Sequence, residues 1–185
     1  MAATNISSTI FNLFGVVFIA LGSSVGIIVG QILGAGDMKR AKETDTKLIA
    51  FTVMAGIVTG SLMAALSGVF PAFYNTTDEV RSLAAKLITI SGMFMPLSAF
   101  MHSAYFTLRA GGRTFVTFLF DSVYVCVITI PTALALVTFT DLDIVPIYFI
   151  CQAVDIIKVT IGFILVKKGV WLKNIVNEDQ ASDLK

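Results

Sequence analysis

Apolar residues fill this chain in five long blocks, each followed by a short polar break. A membrane-spanning helix needs about 20 mostly apolar residues, and every block reaches that length. The blocks run over about 5–33, 48–70, 83–108, 114–137 and 145–166. The first is long enough to be tilted or bent. Pro96 interrupts the third and Pro131 the fourth. Each predicts a hinge, because proline leaves the carbonyl four residues earlier without its helix donor. The pattern predicts an all-α, polytopic membrane bundle of five transmembrane helices over residues 1–176, with a polar cytoplasmic tail at 177–185.

Small and polar positions divide the first helix. Gly22, Gly26, Gly30 and Gly34 recur every fourth residue, which places them on one side of a helix. In water each would cost about 1 kcal/mol against alanine. In a bilayer they form a groove that admits a neighbouring helix backbone. Asn5, Ser8, Asn12 and Gly15 fall in the same arc of about one third of the helix surface. That face is therefore polar at one end and glycine-lined at the other, which suits a cavity opening outward or helix packing through amide hydrogen bonds.

The breaks differ in charge. Lys39, Arg40, Lys42 and Lys47 follow the first block, Arg109 and Arg113 the third, and Lys167, Lys168, Lys173 and Lys185 the fifth. The other breaks hold only Arg81 and Lys86. The positive-inside rule assigns the richer set to the cytoplasm, with the N-terminus outside and the C-terminus inside. An outside N-terminus without an export signal predicts that the chain is a piece of a longer protein whose earlier spans are missing. Trp171 reads as an interfacial anchor.

Composition agrees with this class. Hydrophobic residues make up 56%, charged residues 14%, and mean hydropathy is +0.88, beyond what a soluble core requires. A net charge of +1 gives no case for nucleic acid. Cys126 and Cys151 read as small buried hydrophobes rather than a disulfide or metal pair. No metal site and no cofactor are expected.

Polar groups inside spans are costly and hence informative. In the third, Ser91, Ser98, His102, Tyr105 and Arg109 share a face by helical spacing. Pro96 frees the carbonyl of Gly92 beside them, so His102 with Ser98 has the chemistry to coordinate a cation or pass a proton, or simply to pack with a hydrogen bond. The fourth span carries Asp121. The fifth carries Gln152, Asp155 and Lys158 on one face, where Asp155 and Lys158 either neutralise each other or face a substrate. Asn5, Asn12, Ser98, His102, Asp121, Gln152, Asp155 and Lys158 are therefore the candidate cavity-lining residues.

With GQILGAGDMKRAK at 30–42 after a polar, glycine-striped span, the chain resembles the multidrug and toxic compound extrusion (MATE) transporters. LRAGGRTF at 108–115, Asp121 with Pro131, Asp155 with Lys158, and GVWLKN at 169–174 are similar to the family in order and spacing. The resemblance covers about 2–176. It implies the last five helices of a twelve-helix transporter, most of its carboxyl-terminal lobe, with the amino-terminal lobe as the missing partner. It also implies a location in the plasma (inner) membrane, contact with membrane lipids, and efflux of amphipathic, often cationic drug-like compounds by Na⁺ or H⁺ antiport. Two positions depart from the family pattern. Arg113 stands where an acidic residue usually precedes the threonine, and residues 88–108 contain no Asp or Glu, the usual cation-site residue falling near Ser98.

Other classes fit less well. Gly34-Ala35-Gly36-Asp37 spells a motif of intramembrane aspartyl proteases, but such hydrolysis needs two facing carboxylates and Asp37 opens a basic stretch. A lipid-linked sugar flippase of similar architecture would line its cavity with more basic residues than Lys158. A small non-transport membrane subunit is the remaining alternative.

Overall fold

The structure is a computed structural model describing residues 2–172; the expected tail at 177–185 lies outside them. Five helices are long and apolar enough to cross a membrane: α1 (Ala2–Gly34), α2 (Met38–Ala65), α3 (Asp78–Ala110), α4 (Thr114–Phe139) and α5 (Ile144–Lys167). A short 3₁₀ turn, Phe70–Phe73, lies between α2 and α3. Among the described residues there is no strand. The protein is thus an all-α bundle with the span order expected.

The first break is shorter than its charges suggest. The basic stretch 37–47, expected as a loop, forms the opening turns of α2. Asp37 caps that helix, its Oδ1 accepting from the Arg40 amide at 3.0 Å. The Lys, Arg, Glu and Ala that follow are good helix formers, so the end of the apolar block did not mark a helix boundary. The turn before it closes α1 through Gly36 at φ 82°, with the Asp37 amide donating to the Ile32 carbonyl at 3.3 Å and the Gly36 amide to Leu33 at 3.0 Å. Gly112, at φ 72°, closes α3 in the same way: Arg113 donates to Leu108 and Gly112 to Arg109. Only glycine takes this left-handed cap without strain.

α3 is the centre, with α1, α2 and α5 packed around it. Its approach to α2 is backbone to backbone. A side chain on Gly60 would run into the Gly92 carbonyl, and one on Gly56 would meet Ala99 and Pro96. The carbonyl freed by Pro96 is therefore packed against Gly60, and α3 runs unbroken through that proline. Toward α1, Gly22 lies against the His102 backbone and Phe106, and Gly26 against Phe106. Gly30 makes only an ordinary contact with Ala110, and Gly34 has nothing within 4 Å. Such small-residue contacts are what hold helices together where lipid removes the hydrophobic driving force.

α4 has a different character. Two wide π segments, Leu119–Val123 and Val125–Thr129, precede its final α segment from Ile130, which contains Pro131. Few of its side chains are buried, and Val127, Leu134 and Val137 are largely exposed. Cys126 also lies on this exposed surface and Cys151 is half-buried, both as free thiols; neither is the buried small hydrophobe expected.

At the basic end, the turn after α3 meets the residues after α5. The Arg113 Nε donates to the Val170 carbonyl at 2.9 Å, and Gly111 abuts the Trp171 backbone with no room for a Cβ. Trp171 is fully buried, its Nε1 donating to Val166 at 3.1 Å. It is an internal wedge, not the interfacial anchor its amphipathic ring suggested.

Candidate functional site

Polar side chains within the spans follow two patterns. Many hydroxyls bond the carbonyl four residues back in their own helix, including Ser23, Ser24, Thr52, Thr59 and Thr160. A hydroxyl satisfied this way needs no partner in the membrane. The charged groups instead reach between helices.

Lys158 of α5 is buried, and its Nζ donates to Asp121 Oδ1 of α4 at 2.8 Å. The ammonium also lies 5.4 Å from the Phe120 ring centroid and 5.8 Å from that of Tyr124, a geometry in which aromatic faces attract a cation. Tyr124 is fixed by donating its hydroxyl to the Val154 carbonyl at 2.7 Å. Phe120 is seated against Gly162. Lys158 therefore pairs across helices with Asp121, not along α5 with Asp155 as its spacing allowed. The side chain of Asp121 remains 57% exposed, so its carboxylate is open to a second cation.

Two adjoining cavities share Met101, His102 and Lys158. One, of about 260 Å³, is lined also by Tyr105, Phe106, Phe120 and Asp121. The other, of about 200 Å³, adds Phe94, Ser98, Gln152 and Asp155. Six of the expected lining residues thus converge: Ser98, His102, Asp121, Gln152, Asp155 and Lys158. Asn5 and Asn12 do not; both are exposed on α1, which contributes Phe11 and Ile19 to the cavity walls instead. The reason is a shift of the packed face along α1, from the side of Ile6 and Ile10 to that of Gly22 and Val29.

His102 bonds locally, its Nδ1 2.9 Å from the Ser98 carbonyl. A carbonyl only accepts, so Nδ1 carries a proton in this bond. The ring stacks at an angle on Phe18, with centroids 5.0 Å apart. The Gly92 carbonyl faces α2 while His102 faces α1, so the two do not converge on one cation. Among the described residues, no three His, Cys, Asp or Glu side chains meet as metal ligands.

Of the aromatic side chains at the site, Tyr105 lay on the face read from the third span, whereas Phe106, Phe120 and Tyr124 were not singled out from sequence. Phe120 and Tyr124 flank Asp121 at i−1 and i+3, a spacing that offered the signal; Phe106 gave none beyond its place near His102.

Five helices of spanning length, with a lysine–aspartate pair between two of them, define a multi-pass membrane protein. Residues 1–135 match the MatE family, and the chain belongs to it: a family of membrane transporters rather than enzymes. No curated protein and no solved structure matches the chain.

Proposed function

We propose that the protein takes part in secondary active efflux, exchanging an amphipathic organic cation for Na⁺ or H⁺ by alternating access. The carrying observation is the Asp121–Lys158 pair beside an aromatic-lined cavity. A carboxylate paired to a lysine and still accessible accepts an organic cation, whose rings pack on Phe106, Phe120 and Tyr105. The buried lysine keeps the carboxylate compensated when no substrate is bound, as an intramembrane charge requires. Exchange with an ion follows if the acids, Asp121 and Asp155, bind proton or sodium in one state and substrate in the other.

The proposed topology places the N-terminus outside and the C-terminus in the cytoplasm, in the plasma (inner) membrane. Support comes from the clustering of Lys39, Arg40, Lys42, Arg109, Arg113, Lys167 and Lys168 at the end where α1 joins α2 and α3 joins α4. An amino-terminal lobe of the kind the family resemblance implies is the proposed partner that completes the cavity.

The test is ethidium efflux from proteoliposomes holding the protein expressed from its whole reading frame, under imposed Na⁺ or H⁺ gradients. Transport should follow one gradient and fall about tenfold or more in Asp121→Asn and Asp155→Asn. Equal transport by both variants at equal incorporation would remove the acids from the mechanism. No gradient-driven transport at all would favour a non-transport subunit.

A further inference from the structure

Away from this site, at the basic end, α2, α3 and α5 leave a crevice of about 390 Å³. Its lining changes with depth. Lys42 of α2 and Lys167 of α5 stand at the rim, and Ile49, Phe100 and Phe163 lie further in. From Lys42 to Ile49 the helix descends about 10 Å, and from Lys167 to Phe163 about 6 Å. Asp45 lies between these levels, 1% exposed, its Oδ1 accepting the Thr107 hydroxyl at 2.6 Å. Among the described residues, none of Lys42, Asp45 and Lys167 is in an ion pair.

Three charges around one apolar cleft, at the level where helices leave the membrane, restrict what fits. Asp45 has the Thr107 hydroxyl and the Lys167 ammonium lies 5.7 Å from the Phe163 ring centroid, but a hydrocarbon alone leaves all three charges without a counter-charge. A simple anion suits the lysines but meets Asp45, and a simple cation has the opposite conflict. A zwitterion with a phosphate, a primary ammonium and a hydrocarbon tail matches every part of the lining.

We infer that the crevice binds an aminophospholipid of the phosphatidylethanolamine type. Its phosphate lies between Lys42 and Lys167, its ammonium turns to Asp45, and one acyl chain runs along Ile49, Phe100 and Phe163. Basic pockets between helices at the cytoplasmic face are established lipid-headgroup sites in general; the buried carboxylate adds selectivity for a headgroup that donates hydrogen bonds. A trimethylated ammonium has no N–H to give to Asp45, and a glycerol headgroup has no cation.

Native mass spectrometry of the full chain in detergent tests this directly. It would be titrated with dioleoyl phosphatidylethanolamine, phosphatidylcholine and phosphatidylglycerol. The ethanolamine lipid should bind about tenfold more tightly than either other, the scale of one charge-assisted hydrogen bond. Asp45→Asn, which keeps an acceptor for Thr107, should erase the preference over phosphatidylcholine. Lys42→Gln with Lys167→Gln should weaken all three about tenfold. Equal binding of the three lipids by the unaltered protein overturns the inference even if every variant misfolds. A photoreactive side chain at position 49 in native membranes should capture lipid; capture of a protein segment or a second copy also overturns it.

Discussion

The two sides of α3 are built on different principles. Against α2 it packs backbone to backbone through Gly56, Gly60 and Gly92. Against α5, and through α5 against α4, contact is made by polar and aromatic side chains: Ser91 with the Tyr148 hydroxyl at 2.8 Å, Tyr124 with the Val154 carbonyl, Lys158 with Asp121, and Phe94 edge-on to Phe149. The glycine contacts hold the two backbones closer than a side chain at those positions would allow. Side-chain pairs can exchange partners. In the proposed mechanism the α1–α2–α3 side is the frame, and the α4–α5 side, with its π turns and its ion pair, the part that responds to a bound cation.

The largest break in this contrast should come from the frame. Gly60→Leu drives a side chain into the Gly92 carbonyl and should cost at least about 3 kcal/mol, read as a collapse of the melting temperature or loss of monodisperse protein. A wild-type melting curve would contradict the close approach of α2 and α3. Asp121→Asn comes next: transport should drop about tenfold or more while melting changes far less than in Gly60→Leu. Tyr148→Phe removes a single interhelical hydrogen bond, and thermal unfolding should report about 1 kcal/mol or less. Smallest of all, Gly34→Ala adds a methyl where nothing lies within 4 Å. It should leave transport unchanged and alter stability by no more than about 1 kcal/mol in the favourable direction.

The spans were legible because the membrane imposes one rule along their whole length, and the observed helices follow the five apolar blocks. Their ends were less so. Residues 37–47 are charged and interrupt the apolar pattern, yet a helix runs through them because an Asp37 cap and good helix formers allow it. The polar face of α1 misled for a related reason: helical spacing placed Asn5 and Asn12 in line with Gly22 and Gly26, but the helix changes its packed face along its length. Asp121, Asp155, Lys158 and His102 stood out because an ionisable residue within a span is rare. Which aspartate Lys158 would pair with was not legible, since i,i+3 spacing offers Asp155 and only the tertiary approach of α4 supplies Asp121. Trp171 shows the same limit: an amphipathic ring is equally suited to an interface and to a buried site with one carbonyl to accept its N–H.

The central claim is that the carboxylate beside Lys158 receives the transported cation. Equilibrium binding of tetraphenylphosphonium to the purified protein, compared between the unaltered chain and Asp121→Asn, measures this without any transport step. A loss of affinity of about tenfold or more is expected, since the variant removes the anion and leaves the Lys158 ammonium to repel the ligand. An affinity unchanged in Asp121→Asn would contradict it.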